Sequence, residues 1–330
     1  MSVASIPTRE RARHALDARR GRRSVGRFYG LALRGAIGIF AAMLIALVLS
    51  LVLDSRQAFA HSGIGFLWSA TWNPAANSYG AGLLVVGTVV TTVISLAMVV
   101  PVGLGAAIAL AEIAPRWIAA PLSAAIELLA AVPSVVVGLW GLLVLSPLAA
   151  RDVEPFLRSI PGLGWFFRGV AYGPSILLAS FVLTVMTLPT MVALSRRAIL
   201  DVPVDDREAA LALGATRWQA TRRAALPAAR SGIQTAITLA TGRALGESIA
   251  VAMVIGNNPS IPHSLIAPGA TLGSAIVNEF AESSPGLGTS SVIALALVLL
   301  ILTLVVNLGG RALIRARSVS KKPRARGLVA

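Results

Sequence analysis

Long apolar runs, separated by shorter polar segments, make up most of the chain. Each run has enough residues, at about 1.5 Å of helix rise per residue, to cross a hydrocarbon layer roughly 30 Å thick. The pattern therefore predicts an all-α polytopic membrane protein. Its six predicted transmembrane helices span residues 31–53, 81–111, 118–148, 173–194, 232–255 and 288–308.

Basic segments flank this predicted membrane domain. Residues 1–30 and 315–330 are predicted as basic tails on either side of a transmembrane domain over residues 31–314. The first apolar run is too long for the apolar part of a secretory signal. We therefore assign it to the first transmembrane helix.

Lys and Arg residues are distributed unequally across the predicted membrane. Of the 29 in the chain, most lie in the two tails and in the polar segment 196–230. The opposite side has only Arg56, Arg151, Arg158 and Arg168. Because cytoplasmic segments of membrane proteins are enriched in Lys and Arg, both termini are predicted to be cytoplasmic. The tails are also predicted to contact anionic membrane lipids.

Composition supports a membrane protein and excludes other classes. The chain is 56% hydrophobic and 13% charged, with a mean hydropathy of +0.78. A soluble domain of this size would expose large apolar patches. The net charge of +15 is concentrated at the ends of the apolar runs, with no aromatic platform among the basic residues, so nucleic acid is not a predicted partner.

Residue types and motifs that carry catalysis or bind metals are missing from the sequence. There is no cysteine, and His14, His61 and His263 are too scattered to form a metal site. The phosphate-binding motif G-x-x-x-x-G-K-[ST] is absent, as are H-E-x-x-H and G-x-S-x-G. We therefore predict no metal, no cofactor, no catalytic residue and no enzyme activity on this chain. If ATP drives transport, a separate subunit hydrolyses it.

The segment over residues 205–227 is polar but regular enough to fold. Asp205 and Asp206 favour a helix start, because their side chains accept hydrogen bonds from free amides and complement the helix dipole. Gly214 interrupts the helix-forming run at a cost of roughly 1 kcal/mol relative to Ala. A second helical stretch is predicted to stop at Pro227, since proline has no amide hydrogen. We predict a short helix, a glycine bend and another short helix.

This segment resembles the cytoplasmic coupling segment of bacterial ABC importer permeases. The likeness is carried by E-A-A, three residues, a glycine, and Leu-Pro after a further eleven residues, although Ala224 replaces an isoleucine that is common in the family. In that family the two short helices dock in a groove of the ATPase subunit. The resemblance therefore implies a role in ATPase coupling for Glu208, Ala209, Ala210, Gly214, Trp218, Leu226 and Pro227. From the residues alone, an ordinary cytoplasmic loop on the membrane surface remains an alternative.

The run at 232–255 contains a charged pair inside the predicted membrane. Arg243 and Glu247 are four residues apart, so they lie on the same face of a continuous helix. An isolated Arg near mid-membrane costs roughly 2.5 to 3.5 kcal/mol, and pairing offsets much of this. The pair is either a structural ion pair that locks the helix in the bundle or part of an anion pathway. In the pathway, Arg243 meets the substrate and Glu247 weakens its retention.

Two further polar residues are secondary candidates for this pathway. Ser248 directly follows Glu247, and Glu127 lies within the run at 118–148. Glu127 either pairs with a cytoplasmic arginine at the inner headgroup boundary or has a functional role inside the membrane. Pro133 marks a predicted kink in the same run.

Two motifs make the family resemblance more specific. E-L-L-A-A-V-P-S-V-V-V-G-L-W-G around Pro133 and G-R-A-L-G-E-S around Arg243 are similar to the PstC-type permease subunits of bacterial phosphate importers. The likeness covers roughly residues 60–315. It implies a type I ABC importer permease fold and phosphate import by alternating access across the bacterial cytoplasmic (inner) membrane. It also implies a complex with a PstA-type permease, two ATP-binding PstB-type subunits and a periplasmic PstS-type phosphate-binding protein.

Other functions remain open at this stage. A permease for another oxyanion, such as sulfate or molybdate, would have a related pattern, and competition among labelled anions would separate the two. A passive channel or membrane scaffold without an ATPase is the alternative from a different class. Co-purification with a P-loop subunit would exclude it. A membrane enzyme fits least, because no catalytic constellation is visible.

Overall fold

The computed structural model describes residues 9–162, 164–260 and 263–319. Within these residues the structure is almost entirely helical. It contains no strand, and an isolated β-bridge joins Asn73 and Ser78. The predicted all-α class is confirmed. Residues 1–8 and 320–330 of the two predicted basic tails lie outside the described residues.

The contacts of the chain divide it into two units, with the boundary in the sequence between Leu53 and Asp54. α1, Arg9–Asp54, is a helix of 46 residues that belongs to the first unit except for its last residue, and it includes part of the predicted N-terminal tail and the first apolar run. The helices of the second unit are α2 (Arg56–Ser62), α3 (Gly82–Ile108), α4 (Arg116–Ala130), α5 (Ser134–Trp140), α6 (Ser146–Leu148), α7 (Glu154–Ser159), α8 (Ile176–Leu200), α9 (Val204–Ala212), α10 (Arg217–Ala220), α11 (Leu226–Gly246), α12 (Ile249–Val254), α13 (Leu272–Glu279) and α14 (Leu287–Val319).

Five helical stretches of the described chain are long and apolar enough to cross a membrane. They are Tyr29–Leu67, Gly82–Ile113, Ser134–Ser159, Ile176–Leu200 and Leu287–Ala312. They correspond to the first, second, third, fourth and sixth predicted runs, so the chain is a polytopic membrane protein. The fifth predicted run, which is covered by α11 and α12, is not among these stretches, so five of the six predicted transmembrane helices are found in the described chain.

The third run is not the single helix that was predicted over residues 118–148. α4 ends at Ala130, and α5 begins at Ser134 after Pro133, whose ψ of 138° is extended. Proline disfavours the helical conformation in the residue before it, and it lacks the amide that would continue the hydrogen-bond ladder. The kink predicted at Pro133 is therefore a complete break. The helical stretch after it continues to Ser159, eleven residues beyond the predicted end of the run at residue 148.

The fifth run is also broken where a continuous helix was predicted over residues 232–255. α11 ends at Gly246, Glu247 has an extended ψ of 120°, and α12 begins at Ile249. Glycine has more backbone freedom to lose than any other residue, which makes it a weak point in a helix. The prediction of one continuous helix through this run is wrong.

Helices α3, α8, α11 and α14 form the packed centre of the second unit. The buried hydroxyls of Thr88, Thr91 and Thr92 each donate to the carbonyl one turn earlier, at 2.7 to 2.8 Å. A Cβ on Gly103 of α3 would lie 2.7 Å from Cγ of Met191 on α8. Satisfied hydroxyls and missing side chains let these helices approach closely.

Candidate functional site: coupling segment and helix break

The coupling segment folds as two helices joined by a left-handed glycine. α9 begins at Val204 and carries Asp205 and Asp206 in its first turn. Gly214 has a φ of +83°. A Cβ on Gly214 would meet nothing within 4 Å, so there is room for a side chain. Glycine is required here because of the left-handed backbone conformation. The predicted glycine bend and the position of the helix start are confirmed, but no side-chain hydrogen bond caps the start of α9, so the predicted capping by Asp205 or Asp206 is not formed.

A capping box starts the second coupling helix. The Thr216 Oγ1 accepts a hydrogen bond from the Gln219 amide at 3.3 Å, and the Gln219 Oε1 accepts one from the Thr216 amide at 2.9 Å. Each side chain satisfies an amide that would otherwise have no partner at the helix start. The short α10 therefore has a fixed beginning directly after the glycine bend.

The predicted end of the second coupling helix at Pro227 is wrong. A wider π-helical turn over Thr221–Ala225 follows α10, and the Leu226 amide donates to the Thr221 carbonyl at its end. Pro227 then occupies the first turn of α11, where its missing amide removes no essential hydrogen bond. The second coupling helix is thus continuous with α11, the helix that carries Arg243.

The coupling helices expose side chains that have no partner in the core. Leu213 is 90% and Trp218 is 53% exposed. Glu208 and Ala209 are also exposed, while Ala210 is half-buried. Because α9 has no fully buried side chain, its residues form an accessible surface of mixed apolar and charged character.

An ion pair joins the coupling segment to the end of α3. The Arg207 Nη2 donates to the Glu112 Oε1 at 2.8 Å, and the Arg207 Nε donates to the same oxygen at 3.1 Å. Arg207 also donates to the carbonyls of Val202 and Ile199, both at 2.7 Å. The Glu112 Oε2 accepts from the Thr221 Oγ1 at 3.3 Å. We call these five residues the inner clamp.

Arg243 lies in the last turn of α11 with its side chain exposed on this chain. A cation near the carboxyl end of a helix is favoured by the helix dipole. Within the described residues Arg243 forms no ion pair, because the two found there are Arg207–Glu112 and Arg151–Asp152. Its positive charge is therefore available to a group outside this chain.

The structural ion pair that was one of the two alternatives for Arg243 and Glu247 is not formed within the described chain. α11 ends at Gly246, so Glu247 does not share a helical face with Arg243. Glu247 is instead half-buried in the break before α12, next to Ser248. The Ser248 Oγ donates to the Gly246 carbonyl at 3.5 Å. The break keeps both residues near the end of α11 without pairing the charges.

Glu127 lies on α4 with its side chain exposed. No hydrogen bond or ion pair within the described residues joins it to Arg243, Glu247 or Ser248. Nor does the described part of the chain contain a group of three or more His, Asp or Glu residues placed to hold a metal ion.

Comparison with known proteins identifies the family. A family model described as "Binding-protein-dependent transport system inner membrane component" matches residues 99–319. The "Phosphate transport system permease protein PstC" of Xylella fastidiosa (strain Temecula1 / ATCC 700964) is 40% identical over 283 residues, which cover 84% of this chain and 87% of that protein. "Phosphate transport system permease protein PstC 1" of Mycobacterium tuberculosis is 35% identical over 327 residues, which cover 91% of this chain and 97% of that protein. This chain belongs to the PstC family of inner membrane transport permeases.

Solved structures show that the PstC family permease has the fold of type I ABC importer permeases. A chain of the MetNI methionine ABC transporter aligns with a TM-score of 0.52 and 22% identity, covering 70% of this chain and 92% of that one. A chain of a bacterial ABC transporter for the acidic polysaccharide alginate aligns with a TM-score of 0.55 and 16% identity, covering 84% and 95%. The predicted fold class is confirmed.

The family match includes the whole candidate site of the permease. Residues 99–319 contain both partners of the ion pair in the inner clamp, the coupling segment and the break after α11. The relatives are transport permeases and not enzymes. The protein is accordingly a multi-pass inner membrane component of an ABC transporter.

Sequence reasoning missed two features of the permease site. Thr216 and Gln219 have the spacing of a capping box, and that signal was available in the sequence. The pair between Glu112 and Arg207 joins residues that are 95 positions apart. No local pattern indicates such a pair.

Proposed function

We propose that this permease is the PstC-type subunit of an ATP-driven phosphate importer. It moves inorganic phosphate across the cytoplasmic membrane by alternating access, while a separate subunit hydrolyses ATP. The observation that carries this proposal is the similarity to phosphate transport permeases over most of the chain. The G-R-A-L-G-E-S motif lies at the end of α11, which supplies an exposed arginine.

Arg243 is the residue proposed to meet phosphate in the pathway. Its side chain is exposed and has no ion-pair partner within the described chain, so it can attract an anion that passes along α11. The attraction between a guanidinium and a phosphate dianion is strong in a low-dielectric pore. Glu247 and Ser248 at the adjacent break are proposed to limit retention of the anion, with Glu247 contributing repulsion. Glu127 remains a secondary candidate on α4.

The coupling segment is proposed to bind the ATPase subunit. Glu208, Ala209 and the side chain of Trp218 are exposed, as a docking surface requires. The continuity of the second coupling helix with α11 supports a direct mechanical connection between ATP hydrolysis and the helix that carries Arg243. Ala210 in α9, Gly214 at the bend, and Leu226 and Pro227 at the start of α11 are proposed to set the geometry of this connection.

The proposed assembly contains a PstA-type permease, two PstB-type ATPase subunits and a periplasmic PstS-type binding protein. The excess of Lys and Arg in the tails and around the coupling segment supports cytoplasmic termini. This orientation puts the coupling segment on the side where ATP is present.

Uptake by the reconstituted assembly tests the proposal. The permease is combined with its three partner types in proteoliposomes, and uptake of radiolabelled phosphate is measured with and without ATP. We expect uptake that requires both ATP and the binding protein and that excess sulfate or molybdate does not inhibit. Equal competition by sulfate or molybdate would indicate a permease for another oxyanion. Uptake without ATP would indicate a passive channel.

A further inference from the structure

The inner clamp lies where the coupling segment meets the ends of α3 and α8. Arg207 belongs to α9, Glu112 follows α3, and the acceptor carbonyls of Ile199 and Val202 lie at and just beyond the end of α8. The Arg207 and Glu112 side chains are only 18% and 13% exposed. A pair so shielded from solvent is screened less by salt than a surface pair. One guanidinium thus holds three separate segments together.

The position of α9 depends strongly on this clamp. The helix has no fully buried side chain, so hydrophobic packing fixes it weakly. Non-helical residues also separate it from its neighbours. Pro203 before it has a ψ of 139°, and Gly214 after it has a φ of +83°. Without the clamp, α9 would be free to change its angle relative to the inner ends of α3 and α8.

The chain is shaped locally to bring Glu112 to Arg207. The last turn of α3 widens into a π-helical turn over Ala109–Ile113, in which the Ala114 amide donates to the Ala109 carbonyl at 2.7 Å. A π-turn inserts one extra residue into the helix. Removing that residue would rotate the side chains beyond it by about 100° around the helix axis, and Glu112 would no longer face Arg207.

We propose that Arg207 and Glu112 are positioning residues for ATPase coupling. They make α9 move as one body with the inner ends of α3 and α8. The Thr221 hydroxyl connects Glu112 to the π-turn that leads into α11. This inference rests on the proposed coupling function of the segment. It adds that motion of α9 reaches α3 through the ion pair with Glu112, and α8 through the two carbonyls that accept from the same guanidinium.

A comparison of transport with ATP hydrolysis tests the proposal in the assembled transporter. Glu112→Gln keeps the size of the side chain but removes its charge. We expect the phosphate transported per ATP hydrolysed to fall about tenfold, within the usual range of coupling between sites, while ATP hydrolysis continues. The double variant Glu112→Gln/Arg207→Gln should be no worse than Arg207→Gln alone, because the ion pair is already lost when the guanidinium is removed.

Asp201→Asn is the matched control. Asp201 is a carboxylate at the end of α8, close to the clamp in sequence, but it is exposed. Its substitution should leave transport per ATP unchanged. A purely structural role for the clamp would give a different result in Glu112→Gln. The amount and thermal stability of the transporter would fall while transport per ATP stayed normal, and that result would overturn the proposal.

A spin-label measurement tests the clamp without reference to the substrate. The chain has no cysteine, so cysteines can be introduced at Ile113 and Val204, both exposed and next to the clamp partners. We expect the distance between the two labels to be the same in nucleotide-free and ATP-trapped transporter. In Glu112→Gln the distance distribution should broaden in the trapped state. Identical distance distributions with and without this substitution would contradict the proposed positioning role of the clamp. Absence of phosphate uptake would contradict only the proposed function.

Discussion

Gly273 of α13 lies directly against Ser248 in the break between α11 and α12. A Cβ on Gly273 would lie 2.6 Å from the Ser248 Oγ and 3.0 Å from the Ser248 Cα. Atoms of side chain and backbone do not pack that closely, so the close approach requires glycine at this position. Glu247 and Ser248, in the break that follows Arg243, are therefore held in place partly by α13.

Gly273→Ala should disturb the break and reduce transport. The added methyl group overpacks the contact, which typically costs about 1 to 3 kcal/mol of stability. We expect a lower unfolding temperature of the purified permease and slower phosphate uptake. Gly105→Ala is the control, because a Cβ on Gly105 meets nothing within 4 Å. Equal behaviour of the two variants would contradict the importance of this contact.

Arg243→Gln should leave the transporter assembled but prevent efficient phosphate uptake. Loss of a charged hydrogen bond costs about 1.5 to 3 kcal/mol, which corresponds to a decrease of roughly ten- to a hundredfold in uptake. Radiolabelled uptake and co-purification of the subunits measure the two effects. Arg230→Gln, an exposed arginine near the other end of α11, should transport normally. Normal uptake by Arg243→Gln would remove this residue from the pathway.

Gly214→Val should separate ATP hydrolysis from transport. A β-branched residue at a φ of +83° is strained by about 1 to 2 kcal/mol, so the angle between α9 and α10 should change. We expect ATPase activity that binding protein and substrate no longer stimulate. Gly214→Asn should keep more coupling, because asparagine tolerates the left-handed conformation. Wild-type coupling in the valine variant would mean that the bend does not matter.

Thr216→Ala should loosen the start of α10. Loss of an N-cap side chain costs about 1 kcal/mol, and hydrogen exchange at the first amides of α10 should become faster. Thr216→Ser keeps the Oγ that accepts the Gln219 amide and should exchange like the wild type. Unchanged protection in the alanine variant would show that the capping box contributes little.

Several features of the site could be predicted from local chemistry. Asp205 and Asp206 indicate the start of α9, and Gly214 indicates the bend, because both depend only on neighbouring residues. Pro133 likewise indicates a disruption, although the sequence did not show that the helix breaks completely there. The long apolar runs similarly indicate a membrane protein before any packing is known.

Other features depend on tertiary packing or on unusual helix geometry. The spacing of Arg243 and Glu247 predicts a shared face only if the helix continues, and α11 ends between them at Gly246. Pro227 was expected to stop a helix, but the π-turn before it accommodates the missing amide. The contact of Glu112 with Arg207 exists only after α3 and α9 are brought together, so no sequence pattern contains it.

The continuous helix from Arg217 through the π-turn to Gly246 has a geometric consequence. At about 1.5 Å per residue, the distance along this rod from Arg217 to Arg243 is roughly 40 Å. A tilt of only about 10° at the cytoplasmic end would sweep the arginine sideways by about 7 Å. Small rotations of the short helices at the inner surface are thus amplified at the far end, where the guanidinium is located.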